Sequence, residues 1–262
     1  MNASLRTSAS GMTAQQRMVD VIANNLANVN TTGFKRSRVA FQDVLYETVL
    51  GVRPAADSGT ESVGPVQIVR GVRIAAVHRL HSQGPMEQTD RPLNVAIEGD
   101  GFFQVQRPDL TTAYTRDGNF TLSDTGTLVT QDGYQALPGI FVPVEATGVT
   151  ITPSGVVTAT VAGAAEPIEV GRFELARFIN PTGLLATGEN LYLETSASGE
   201  PIIGAPDENG FGRLQQGALE ASNVEIVQEM TDMIAAQRAY EINARAISSA
   251  DQMMQVTNDL LR

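Results

Sequence analysis

The chain has 262 residues, 42% of them apolar, with no cysteine and a net charge of −11. That length can bury a sizeable core and hold two domains, and the missing thiols exclude disulfides, thiol catalysis and cysteine-ligated zinc. Residues 1–53 carry six Lys/Arg and three Asp/Glu, 54–210 eight against nineteen, and 211–262 four against seven; the acidic middle disfavours nucleic acid and anionic membrane surfaces, because phosphate binding needs clustered Lys/Arg.

The chain opens MNASLRTSASGMTAQQRM, which has no apolar h-region and so does not read as a cleavable secretory signal. From Ala3 to about Asn30 an apolar residue falls on nearly every turn, which predicts a helix. Leu5, Met12, Val19 and Leu26 recur every seven residues along it, the spacing that keeps a narrow seam on one side of a helix. Gly11 weakens it by up to ~1 kcal/mol relative to Ala. Asn24, Asn25, Asn28 and Asn30 lead to Gly33, a C-terminal stop. With Ala, Ser and Gln beside the seam, this helix is expected to be mobile until it finds a partner. Lys35, Arg36 and Arg38 read as a solvated turn beyond its end.

Residues 50–65 are rich in Gly, Pro and Ser and predict a loop or loosely packed extension. Val66, Ile68, Val72 and Ile74 alternate as a strand should. From Val95 to about Glu194 the chain breaks into short β-rich runs, with Asp117-Gly118, Thr125-Gly126 and Asp132-Gly133 as turns of an antiparallel meander. Segment 195–210 reads as a linker, and all twelve prolines fall between Pro54 and Pro206. After Gly217 a helix is expected to the terminus, with Ser222 and Asn223 as candidate caps. Leu219, Ile226, Met233, Tyr240, Ile247, Met254 and Leu261 recur along it every seven residues, a length of ~63 Å at 1.5 Å per residue. The positions four residues beyond these (Asn223, Met230, Gln237, Ala244, Asp251 and Asn258) read as a water-facing set, as a channel lining would need. The two seams are expected to meet each other in space, and because the C-terminal seam is longer than the N-terminal helix, its remainder needs other chains to cover it.

Catalytic signatures are weak. His78 and His81 sit in a strand running into a turn and are expected to face opposite sides rather than share a metal. Glu98 and Asp100 flank Gly99 and Gly101 and read as a turn. Asp117, Asp124 and Asp132 lack the spacing of a calcium loop. No phosphate loop, nucleophile elbow or dinucleotide fingerprint appears, and no run of roughly 18 apolar residues could span a bilayer. The chain is therefore expected to be no enzyme and to need no catalytic residue, cofactor or metal.

Three stretches resemble the bacterial flagellar rod and hook family: Ser10–Asp43 (SGMTAQQRMVDVIANNLANVNTTGFKRSRVAFQD), Arg79–Val105 with Ala113–Gln135, and Gly217–Leu261. The length and the Arg116–Phe120 run (RDGNF) resemble members from the distal part of the rod more than the longer hook members. So does the position of Tyr46–Pro65, a segment linked in the family to a straight, stiff rod. The resemblance implies an α+β fold with terminal helices in an inner coiled-coil domain (1–33 with 216–262), a connecting β region (34–95 with 205–215) and a β-rich outer domain (96–204). It implies unfolded passage through the flagellar type III export apparatus and polymerisation into a hollow periplasmic shaft that transmits torque. Its partners would be copies of itself, proximal rod and hook subunits, and the bushing ring proteins, with no nucleic acid and no membrane insertion. Other readings are a hook or proximal rod subunit, a secreted β-rich enzyme acting on cell-wall polymers, or a monomeric binding module.

Overall fold

In the computed structural model, residues 3–44, 46–50, 66–69, 71–162 and 166–260 are described. Most of the expected 50–65 loop, and Leu261, lie outside them. The fold is α+β: helices α1 (Ala3–Ala27) and α2 (Ile226–Leu260) enclose a β-rich middle in sequence. The chain divides into two compact units, one of residues 1–26, 37–78 and 225–262, the other of 27–36 and 79–224.

The first unit holds both helices. Residues Ser37–Asp43 pair with Val72–Arg79, and Tyr46–Leu50 pairs antiparallel with Val66–Val69. The expected single strand from Val66 to Ile74 is therefore two, separated at Gly71, whose φ of +114° turns the chain. No described helix is long and apolar enough to cross a membrane.

The second unit is built on a nine-stranded sheet. Its path runs Leu185–Gly188, Leu191–Leu193, Thr112–Thr115, Phe102–Gln106, Gln135–Ala136, Leu128–Thr130, Phe120–Leu122. Leu175–Arg177 joins Phe102–Gln106 and carries Ile202–Gly204 on its other side. A three-stranded sheet (Ala146–Ile151, Val156–Val161, Ile168–Arg172) supplies Ile151, Val157 and Ala159 to the same core as Ile97, Phe103, Phe120 and Leu175. Three aromatic rings, Phe103, Phe120 and Phe173, meet there with centroids 5.1–5.6 Å apart.

Two expectations change here. Segment 195–210 is not a linker: Ile202–Gly204 is paired in the main sheet, and Ser198 is buried with its hydroxyl donating to the Thr195 carbonyl at 2.9 Å. Its Gly, Pro and Ser mark turns between paired strands, and composition does not separate the two cases. Gly126 and Gly133 take the positive φ of hairpin turns, but Gly118 does not. A Cβ there would lie 1.6 Å from the Val95 carbonyl oxygen, so this glycine answers to a close backbone approach.

Candidate assembly interface

Asn25 near the end of α1 donates from Nδ2 to Glu229 Oε2 at 3.1 Å, in the first turn of α2, and to the Ser37 carbonyl at 2.9 Å. Its Oδ1 accepts from the Ser37 amide at 2.9 Å, so one buried amide ties both helices to the start of a strand. Toward the other end of the pair, a Cβ on Gly11 would sit 3.1–3.3 Å from the Asn243 side chain. Going from Gly11 to Asn25 on α1 is going from Asn243 back to Glu229 on α2, fourteen residues in each case. The helices are therefore antiparallel, in a register that sets Met18 opposite Ala236.

That register identifies the contact rows. On α1 they pass through Gly11, Ala14, Met18, Ile22 and Asn25; on α2, through Glu229, Ala236, Asn243 and Ala250. On α2 the row is again spaced by seven, but its members are small or polar. Small residues let two backbones approach, and the Asn–Glu pair specifies register at some expense in stability. A search for apolar repeats passes over them.

The apolar rows found in the sequence occupy a neighbouring position. Leu5, Met12, Val19 and Leu26 follow the α1 contact row by one residue, about 100° round the helix; Met233, Tyr240 and Ile247 follow the α2 row by four, about 40°. All of these α1 residues are only half-buried, as are Met233, Ile247 and Met254, while Ile226 and Tyr240 are exposed. In an antiparallel pair, displacement of the same sign on both helices lands on the same side. The two rows therefore share one face of the hairpin rather than clasping one another. Ser10, displaced the other way, accepts the Val72 amide at 3.3 Å and so marks the opposite side, where the Ser37–Asp43 and Val72–Arg79 pair packs.

Leu219 is not part of this arrangement. It lies in strand Ala218–Glu220, paired antiparallel with Met86–Gln88 and nearly buried. The helix begins at Ile226, not near Gly217; the seven-residue spacing runs through the strand by coincidence. Of the expected water-facing set, Met230, Gln237 and Asp251 are exposed on α2. Met230 also belongs with Val227 and Ile234 to a further apolar row, half or more exposed, that flanks the start of the helix.

The second unit holds a buried ionic knot around Glu220. Its Oε1 accepts from Lys35 Nζ at 2.5 Å and the Gly84 amide at 2.8 Å; its Oε2 accepts from Arg116 Nη1 at 3.4 Å. The Lys35 and Glu220 side chains are 0% exposed, so Lys35 is not in the solvated turn expected of it. Burial pulls the Lys35 ammonium below its usual range while Glu220 opposes the shift. Lys35 also donates to the Ser82 carbonyl at 2.8 Å, and Arg116 Nη2 to Gly99 at 2.8 Å. Asn223, expected as a cap, instead accepts from the Arg36 amide and donates to the Leu80 carbonyl, at 2.7 and 2.8 Å. The stretch that follows α1 is thus clasped to the stretch that precedes α2. Nothing local in the sequence announces a pair 185 residues apart.

His78 is exposed on its strand, whereas His81 packs edge-on against Phe102 and Tyr192. Burial, with the charges of Lys35, Arg116 and Arg79 adding to it, lowers the His81 pKa to about 4. Glu98 is held by Arg213 at 2.7 Å at the sheet surface. Among the described residues no three His, Asp or Glu side chains converge as metal ligands.

Fold and geometry thus define an α+β chain whose terminal helices pair antiparallel within one of its two units. The chain matches the flagella basal body rod protein family over residues 5–35, the FlgE/F/G D1 domain of flagellar hook proteins over 96–159, and the C-terminal family of the flagellar basal body rod FlgEFG proteins over 215–260. It is 49% identical to the flagellar basal-body rod protein FlgG of Borreliella burgdorferi over the whole of both chains. It is 50% identical to the protein of that name from Caulobacter vibrioides over 98% of each, and 31% identical to the flagellar hook-basal body complex protein FlhP of Bacillus subtilis, again over 98% of each. The chain belongs to the flagellar basal-body rod protein family, whose members are structural proteins and not enzymes.

Proposed function

We propose that this chain is a subunit of the distal rod of the flagellar basal body, polymerising through its terminal helices into a hollow shaft across the periplasm. The observation that carries the reading is the antiparallel α1–α2 pair with two apolar heptad rows on one half-covered face. A face of that length and periodicity fits another helix, and copies of the same chain supply one at every step. Burying each such side chain contributes roughly 1.5–3 kcal/mol, so many repeats give a polymer that does not dissociate. In this reading the assembly face comprises Leu5, Met12, Val19 and Leu26 with Ile226, Met233, Tyr240, Ile247 and Met254. Leu219 is excluded by its strand.

The helices form the inner wall, the strands between residues 34 and 95 connect, and the sheets of 96–204 lie outside. Proximal rod, hook and ring proteins are the neighbours, and the chain reaches its place through the flagellar export apparatus. The reading is tested with Ile226→Asp and Ile247→Asp in the full chain. Both are expected to stop polymer growth, seen by sedimentation and electron microscopy, while the β sheets melt as before. Polymers of normal length from both variants would refute it.

A further inference from the structure

Within the second unit a pocket of about 200 Å3 opens where the start of strand Phe102–Gln106 meets the end of strand Leu175–Arg177. Arg116, Arg177 and His81 line it, with Asp100 as the acidic residue of the wall and Phe178 and Ile179 as apolar surface. Arg116 is 4% exposed and lies deep, whereas Ile179 is 83% exposed and marks the rim. Arg116 Nη1 donates to Glu220 Oε2 and Nη2 to the Gly99 carbonyl, but its buried Nε has no partner. His81 Nδ1 is buried without one as well. Buried polar nitrogens are normally paired, and one left unpaired is destabilising. Arg177, only half-buried, donates from Nη1 to the Gly210 carbonyl at 3.3 Å. The charges point the same way. Those that act on the His81 ring are Lys35, Arg116 and Arg79, all positive, because Glu220 is held between Lys35 and Arg116. A chain of net charge −11 thus keeps a cationic pocket inside its acidic β unit.

We propose that this pocket binds a small monocarboxylate with a short apolar chain, its carboxylate facing Arg116 and Arg177 and its chain lying along Phe178 and Ile179. Guanidinium groups present N–H donors in the fork that a carboxylate accepts. The exposed Asp100 repels a second negative charge, which disfavours a dianion such as phosphate. A volume of about 200 Å3 holds about six water-sized groups, enough for butyrate. The site uses none of the side chains of the assembly face, so either reading can fail without the other.

The test uses the two histidines as reporters, since His81 borders the pocket and His78 is exposed on its strand. Dilute full-length chain at low ionic strength is titrated with sodium butyrate, sodium phosphate or butylammonium chloride, against sodium chloride as control, and the imidazole ring resonances are followed by NMR. Butyrate is expected to shift the His81 signals to saturation while those of His78 stay with the chloride control. Phosphate should bind at least about five-fold more weakly, and butylammonium should match the control. Ile179→Asp is expected to weaken butyrate about five-fold, and Ile179→Lys to tighten it about three-fold, by adding a charge at the rim. Both changes fall on an exposed side chain, so melting temperatures should be as before. A His81 response to butyrate that never saturates would overturn the proposal. Phosphate binding as tight as butyrate would overturn the monocarboxylate assignment. Equal butyrate affinity in both Ile179 variants would put the anion elsewhere and overturn the site.

Discussion

Glu220 shows at the residue scale why a buried charge is structural here. It compensates two cations at once, so removing it strands Lys35 and Arg116 in a buried site. Glu220→Ala is expected to lower the stability of the β unit by about 3–5 kcal/mol in urea melts. Pairing Glu220→Leu with Lys35→Met should recover part of the loss, because only Arg116 then remains uncompensated; no recovery would contradict the pairing. His81 gives a pH prediction. Its folded pKa of about 4 lies below the ordinary 6.5, so the folded state favours the neutral ring. That contribution is fully present above about pH 6.5 and is lost as pH falls from there toward 4. Melting temperature plotted against pH should fall less steeply in that window for His81→Gln than for the unsubstituted chain. Identical slopes would show that the ring gains its proton without hindrance.

At the element scale, the α1–α2 contact depends on small residues and not on the long apolar side chains beside it. Ala236 is buried on the contact row, while Val227 is largely exposed. Ala236→Leu is expected to cost about 1–3 kcal/mol through overpacking, and to lower the helical signal of the monomer in circular dichroism. Val227→Ser should change monomer stability by no more than about 0.5 kcal/mol. The opposite order of effects would place the contact on the apolar rows. The α2 contact row is small or polar, so the pair buries little apolar area for its length, and isolated helices depend on such burial. The monomer is accordingly expected to show less helix than the assembled polymer; equal ellipticity per residue in both would count against a helix that firms up on assembly.

For the whole molecule, the β unit contains its own core, from Ile97 and Phe103 to Phe173 and Leu175, together with the Glu220 knot. The helical unit has no comparable buried cluster among the described residues. Urea titration of a Tyr46→Phe/Tyr240→Phe variant, followed by tyrosine fluorescence from the remaining Tyr114, Tyr134 and Tyr192 in the β unit and by far-ultraviolet dichroism, which weights the helices, should give separate midpoints, the helical one lower. A single coincident transition would mean the two units unfold together.

Much of this was legible beforehand because it is periodic or compositional. Both helices, the acidic β middle, the hairpin turns at Gly126 and Gly133 and the long C-terminal apolar repeat all rest on local spacing. A period of seven records which residues share a helix side, so it groups Val19 with Leu26 and Met233 with Ile247. It suggests two seams that meet each other, yet periodicity carries no information on a partner. Tertiary structure decided that the helices meet through Gly11, Ala236 and Asn243, that Leu219 belongs to a strand, that Gly118 yields to a neighbouring carbonyl, and that Lys35 is buried against Glu220. Each depends on a group distant in the chain, and residue type alone cannot report the space or charge that such a group will supply.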